Sequence, residues 1–175
     1  DGEAIDLKRA YELVQDSRDR QGRTRAQYFK ARFSNCIPTW QSSLFSLGWK
    51  RIWSLNIDDV LENAFTQHQH GATNPPRCLR CSWKDPFTEL QAESDDVQVI
   101  HLHGLAESES TLIFSIVEYL EATSARRTWH PVFGDDYLAE PFLIIGAKLR
   151  DEYDLSQFVR RGNQSYTSVG RPSII

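Results

Sequence analysis

Several features that would place the sequence in a specialised class of protein are scarce or absent. It contains no methionine and only three cysteines. An odd and sparse set of cysteines does not build a disulfide framework, so a reducing cytoplasm is the expected compartment. No apolar run approaches the roughly 18–20 residues that cross a bilayer, so we expect no membrane partner.

A large excess of charge of one sign is also missing. Lys and Arg number 20 against 24 Asp and Glu, a formal net charge of -4, which argues against nucleic-acid binding driven by bulk charge. The 175 residues, 40% of them hydrophobic, suffice for one globular core. Because the chain has no initiator methionine and opens within a helical pattern, we expect it to be part of a longer protein.

One stretch, Arg51–Phe65, organises the rest of the prediction. The apolar run Ile52–Leu55 predicts a buried strand, and the apolar residues of 60–65 recur at helical spacing. Asn56 and Asp58 lie at the corner between them. Open α/β sheets bind ligands at such carboxyl-terminal strand ends.

The remaining chain alternates between strand and helix patterns. Further strands are predicted at 97–102, 112–114, 142–145 and 173–175, and helices over 3–33, after Pro38 and after Ser115, where Glu118 completes a capping box. This alternation predicts an α/β fold, a Rossmann-like doubly wound and mainly parallel sheet with flanking helices. We expect a single domain over 1–175, with a helical part at 1–50 and the sheet core at 51–175.

The pair Cys78 and Cys81 lies in a stretch whose Gly and Pro residues predict a loop. A structural zinc site needs four ligands, and no second CxxC follows. His68 and His70 could complete a site, but closely spaced loop histidines are usually only solvated. We therefore predict no zinc.

Three predicted strands end in residues suited to ligand chemistry: Asn56 with Asp58, His103 with Gly104, and Gly146 with Ala147. Histidine titrates near neutrality and suits a general base, while an amide both donates and accepts hydrogen bonds. Glycine allows close backbone approach to a ligand. Taken singly, the first pair also fits a helix N-cap and the second a turn.

The motifs Ser54–Asp58, Val99–Gly104 and Phe142–Asp151 resemble, in this order, those of sirtuin-like domains. The likeness is closer to the divergent bacterial sirtuin-like domains of anti-phage defence proteins than to the protein deacylases. In that branch the last motif ends in Gly-x-x-Leu-x-Asp, which Gly146, Leu149 and Asp151 match.

The resemblance implies a site that uses NAD+ as a substrate. By analogy, Asn56 positions the attacking water or the ribose, Asp58 contacts the nicotinamide amide, and His103 is the base as the N-glycosidic bond breaks. The implied lining of the cofactor site is Gly104, Gly146 and Ala147. His101 points to the opposite face of its strand from His103, so we assign it to structure.

Departures from the family pattern shape the functional prediction. The first strand and its Gly-Ala-Gly turn are expected before residue 1, so we predict that this segment alone is inactive. Leu55 replaces the sirtuin glutamine, and the zinc module of the deacylases is missing. Both departures favour NAD+ hydrolysis over deacylation.

We therefore expect an NAD+ hydrolase, a homo-oligomeric defence effector in the cytoplasm that is triggered by an activating partner region or protein. One alternative is a catalytically inactive module for NAD or nucleotide binding or for oligomerisation. The other alternative is an NAD-dependent protein deacylase.

Overall fold

A parallel three-stranded sheet forms the centre of the described structure. The computed structural model describes residues 21–71, 73–86, 96–124 and 129–146, and the chain divides into two compact units, Asp1–Trp129 and His130–Ile175. The sheet lies in the first unit and consists of β1 (Arg51–Ser54), β2 (Cys78–Ser82) and β3 (Val97–His101) in the order β1-β3-β2. Both neighbours of β3 run parallel to it.

Helix α2 (Val60–His68) covers one face of the sheet. Its Ala64 and Phe65 pack with Phe45, from the 3-10 helix Gln41–Ser46, over residues of all three strands. The fully buried Val99 and Ile100 point to opposite faces of β3. Burial on both faces explains why this strand is a nearly continuous apolar run.

The other helices of the described chain are α1 (Arg25–Phe33), α3 (Ile116–Ser124) and α4 (Trp129–Ala139), with a 3-10 helix at Glu109–Thr111. The ring of Trp129 lies 6.1 Å from that of Trp53 in β1, on the face opposite α2. A parallel sheet flanked by helices confirms the predicted Rossmann-like α/β class. Among the described helices, none is both long and apolar enough to span a membrane.

Two strand predictions are wrong. Residues 112–114 form no strand, although Leu112 and Ile113 are buried. Over 142–145 only Leu143 makes an isolated β-bridge, so these residues form no strand either. Leu143 and Ile145 are 40% and 47% exposed. At 112–114 the apolar run reflects burial of single side chains, which a pattern of hydrophobicity cannot separate from strand pairing.

The third strand of the sheet is instead β2, which the prediction placed in a loop. Its partner β3 pairs with it from Cys78↔Val97 to Ser82↔His101. The predicted strand at 173–175 and the helix pattern of 3–20 lie outside the described residues.

In the second unit, three aromatic rings pack together. Phe133 and Tyr137 of α4 lie 5.9 and 5.3 Å from Phe142, measured between ring centroids. These contacts join the end of the helix to the segment that follows it.

Candidate functional site

The segments that follow β1 and β3 lie side by side at the carboxyl edge of the sheet. We call residues 55–59 the first edge segment and residues 102–106 the second. The N–H of Ala106 donates a hydrogen bond to the carbonyl of Ile57, 2.9 Å away, and so joins the two. Asn56 and Asp58 on the first segment therefore lie beside the segment that carries His103 and Gly104.

Asn56 presents an exposed side chain while its backbone is held at two atoms. Its N–H donates to the hydroxyl of Ser54 at 3.2 Å, and its carbonyl oxygen lies 2.8 Å from Nδ1 of His101. Asp58 is half-buried, and its Oδ1 accepts the N–H of Val60 at 3.2 Å. Asp58 thus stabilises the start of α2 from the position before the N-cap residue, which is Asp59.

The neighbouring Asp59 has a separate role that the sequence analysis missed. Its carboxylate accepts the N–H groups of Asn35 and Cys36 at 2.6 and 2.8 Å. Asn35 has a left-handed backbone, with φ of 59°, and the Asn63 amide donates to the Cys36 carbonyl at 3.0 Å. Asp59 and Asn63 therefore tie the turn after α1 to the first half of α2.

The turn that contains His103 and Gly104 rests against the 3-10 helix at Glu109–Thr111. His103 is half-buried. Its backbone carbonyl oxygen accepts a hydrogen bond from the backbone N–H of Ile113, 3.1 Å away. Gly104 has φ of +88°, and a Cβ there would lie 2.0 Å from the carbonyl oxygen of Thr111. Backbone packing alone therefore requires glycine at this position.

Gly146 also has a left-handed backbone, with φ of +70°, and nothing lies within 4 Å of where its Cβ would be. It is an exposed residue of the second unit. Ala147 lies outside the described residues. The assignment of both residues to cofactor binding stays a prediction.

A row of side chains beneath this edge was not predicted from the sequence. We call it the charged chain, and it consists of His101, Glu62, Arg80 and Glu107. His101 is 0% exposed, and its Nε2 lies 2.7 Å from Oε1 of Glu62. The same oxygen lies 3.2 Å from Nε of Arg80, and Arg80 Nη1 donates to Glu107 at 2.7 Å. The signal available in the sequence was a histidine within a buried apolar strand, since a buried imidazole requires polar partners.

The two cysteines of the CxxC motif point to opposite faces of the sheet, because they are three residues apart on β2. Burial raises the pKa of Cys78 to about 12, with the Glu62 carboxylate adding to the effect. Burial likewise raises the pKa of Cys81 to about 11, with a further contribution from Asp85. Each thiol is therefore held by its own set of neighbours, on its own face of the sheet. In the parts of the chain that the structure describes, no group of three or more His, Cys, Asp and Glu side chains could hold a metal.

Comparison with known protein families identifies one family that matches most of this sequence. A search of curated proteins finds no match. A model of the SIR2-like domain family matches residues 50–174, which include the whole sheet, both edge segments and the charged chain beneath them. The match covers well over half of the sequence, and the chain belongs to the SIR2-like domain family.

Proposed function

We propose that this domain is an NAD+ hydrolase that cleaves the bond between nicotinamide and ribose. Its family supports an NAD-related function of the sirtuin superfamily and the use of NAD+. The observation that carries the narrower proposal is the pairing of the two edge segments through Ala106 and Ile57, with Asn56 on one segment and His103 on the other.

The chemistry assigned to these side chains follows from what each can donate or accept. The exposed amide of Asn56 can hold a water molecule or a ribose hydroxyl. His103, half-buried on the adjacent segment, takes the proton of that water or hydroxyl. Nicotinamide leaves through an oxocarbenium-like state, so the protein contributes mainly by positioning the reactants and stabilising positive charge.

The remaining predicted residues are proposed to bind the rest of the ligand. Asp58 uses one carboxylate oxygen on the N–H of Val60, and we assign the other to the nicotinamide amide. We also assign Gly104, Gly146 and Ala147 to cofactor binding, as the motif resemblance implies.

The proposed context is anti-phage defence, which the motif resemblance suggests. In that context a homo-oligomer in the cytoplasm stays inactive until a partner region or protein triggers it. Cells that produce the intact protein should then lose NAD+ on infection, and cells that produce His103→Ala should keep it.

The direct test is nicotinamide release from NAD+ by the intact protein, followed by chromatography. Asn56→Ala and His103→Ala should each lower the rate at least about 100-fold without lowering the melting temperature. His70→Ala is the matched control, because His70 is an exposed histidine outside the site. Full activity in both site variants would show that the assignment is wrong.

The same assay separates the alternatives. Release without any peptide supports hydrolysis, whereas release that requires an acylated peptide indicates a deacylase. Calorimetric binding of NAD+ without release indicates a non-catalytic module.

A further inference from the structure

We infer that His101 is a positioning residue for the proposed reaction, which holds the first edge segment, and with it Asn56, at the carboxyl edge of the sheet. The kinetic part of this inference rests on the proposed function. The structural part, that His101 holds the backbone of Asn56 in place, does not depend on the proposed function.

The contacts of His101 place it between two elements. It ends the central strand β3, with both ring nitrogens in short contacts: Nδ1 at 2.8 Å from the carbonyl oxygen of Asn56 and Nε2 at 2.7 Å from Oε1 of Glu62. The ring itself is completely buried. The backbone of Asn56 is therefore anchored through the imidazole to helix α2.

The chemistry of the two partners determines the role of each nitrogen. A backbone carbonyl can only accept, so Nδ1 of His101 must carry the proton in its bond to Asn56. The Glu62 oxygen that faces Nε2 also lies 3.2 Å from Nε of Arg80. The two ring nitrogens of His101 therefore contact two different elements, the first edge segment through Nδ1 and helix α2 through Nε2.

Arg80 connects this pair to a second carboxylate. It lies 3.2 Å from the Glu62 oxygen that faces His101 and 2.7 Å from Oε1 of Glu107. Glu107 directly follows the second edge segment, so the charged chain runs from Asn56 on the first segment to the end of the second. Contacts that link the first segment to the residue directly after the second can set the relative position of the two segments, whereas an apolar residue at 101 would offer no hydrogen bond.

A positioning role is expected to appear in the rate constant rather than in substrate affinity. Small displacements of a group that orients a reactant lower the rate of the chemical step strongly. Substrate binding depends on many further contacts and changes less. Loss of the Nδ1 bond should therefore reduce kcat and leave KM nearly unchanged.

Two substitutions test the two bonds separately in the intact protein. In His101→Asn the side-chain amide nitrogen lies near the Nδ1 position and can still donate to Asn56. In His101→Gln it lies near the Nε2 position and can still donate to Glu62. We expect His101→Gln to lower kcat for nicotinamide release roughly ten- to a hundredfold, with KM for NAD+ within about twofold. His101→Asn should keep kcat within about threefold of the wild type.

Hydrogen–deuterium exchange of residues 55–58 provides a readout that does not require turnover. Exchange there should accelerate in His101→Gln and stay near the wild-type rate in His101→Asn. Equal kcat and equal exchange in the two variants would overturn the inference. If the wild type released no nicotinamide, the proposed function alone would fail, and exchange would still decide the role of His101.

A measurement on the wild type covers the case in which a variant does not fold. Nitrogen-15 NMR of the His101 ring should show a proton on Nδ1 that exchanges slowly with solvent. An Nδ1 without a proton would exclude the bond to Asn56 and overturn the inference.

Discussion

The backbone of Gly104 lies so close to Thr111 that a Cβ at position 104 would be 2.0 Å from the Thr111 carbonyl oxygen. The turn after β3 therefore rests directly on the 3-10 helix Glu109–Thr111. The bond from the N–H of Leu105 to Oγ1 of Thr111, 3.0 Å, holds the same contact. The glycine of the His-Gly pair is needed to build the edge of the sheet, whatever ligand lies above it.

Gly104→Ala should consequently destabilise the protein. The left-handed backbone, with φ of +88°, and the contact with Thr111 both oppose a side chain. Together they should lower the free energy of unfolding by about 2–5 kcal/mol. Urea denaturation measures this change.

Gly71→Ala is the matched control, because Gly71 has nearly the same φ, +87°, with nothing within 4 Å of where its Cβ would be. It should lower the free energy of unfolding by only about 1–2 kcal/mol. A loss in Gly104→Ala no larger than in Gly71→Ala would contradict the close contact with Thr111.

The Asp59 carboxylate supports a prediction about thiol reactivity. The pKa of Cys36 is raised by burial and further by the negative charges of Asp58 and Asp59. Asp59→Asn removes one of these charges, so more of the Cys36 thiol ionises and its alkylation at pH 8 should accelerate. Asp59→Asn should also lower the free energy of unfolding by about 1–3 kcal/mol, because Asn35 and Cys36 lose a charged acceptor.

Asp58→Asn separates the effect of negative charge on the Cys36 thiol from the effect of the hydrogen bonds that Asp59 accepts. It too removes a negative charge near Cys36, but leaves the bonds from Asn35 and Cys36 to Asp59 in place. Alkylation of Cys36, followed by mass spectrometry, should accelerate in both variants. A stability loss as large in Asp58→Asn as in Asp59→Asn would contradict the role given to Asp59.

The parts of the fold that were predictable from the sequence are those in which local pattern and burial coincide. β1 and α2 were recognised because an apolar run of strand length is followed by apolar residues at helical spacing. β3 was recognised because it is buried on both faces. Asn56 and His103 could be placed on adjacent segments because each follows such a strand.

The remaining parts depend on contacts between distant residues. β2 contains Arg80, whose charge is accommodated by Glu62 and Glu107, residues 18 and 27 positions away along the chain. No local pattern contains those partners, so this strand resembled a polar loop. The anchoring of Asn56 by His101 likewise depends on the strand register Ser54↔His101.

The capping box that begins α3 gives a prediction confined to one helix end. The Glu118 carboxylate accepts the N–H groups of Phe114 and Ser115 at 2.8 and 2.9 Å, and the Ser115 hydroxyl accepts the N–H of Glu118 at 3.1 Å. Glu118→Ala should lower the free energy of unfolding by about 1–2 kcal/mol. Glu121→Ala, on an exposed position of the same helix, should change it by less than about 0.5 kcal/mol. Equal losses in the two variants would exclude the cap as the cause.

The Cys78 thiol makes the stability of the protein depend on pH in alkaline solution. Burial raises its pKa in the folded protein from 9.0 to about 12, with the Glu62 charge contributing. Between these values the unfolded chain loses the thiol proton while the folded protein keeps it. The free energy of unfolding should therefore fall as pH rises above about 9, and this contribution should be lost by about pH 12.

Urea denaturation at several pH values between 8 and about 10.5 tests this prediction. The contribution of a single thiol cannot exceed about 1.4 kcal/mol per pH unit. Cys78→Ala should make the fall in stability with pH less steep, because one of the two thiols with a raised pKa is gone, while Cys81 keeps its contribution. Cys36→Ala is the control, since Cys36 is less buried and should change the slope less. If Cys78→Ala kept the wild-type slope, ionisation of Cys78 would not be its source, and the thiol would be more accessible to water than its place on β2 beneath α2 implies.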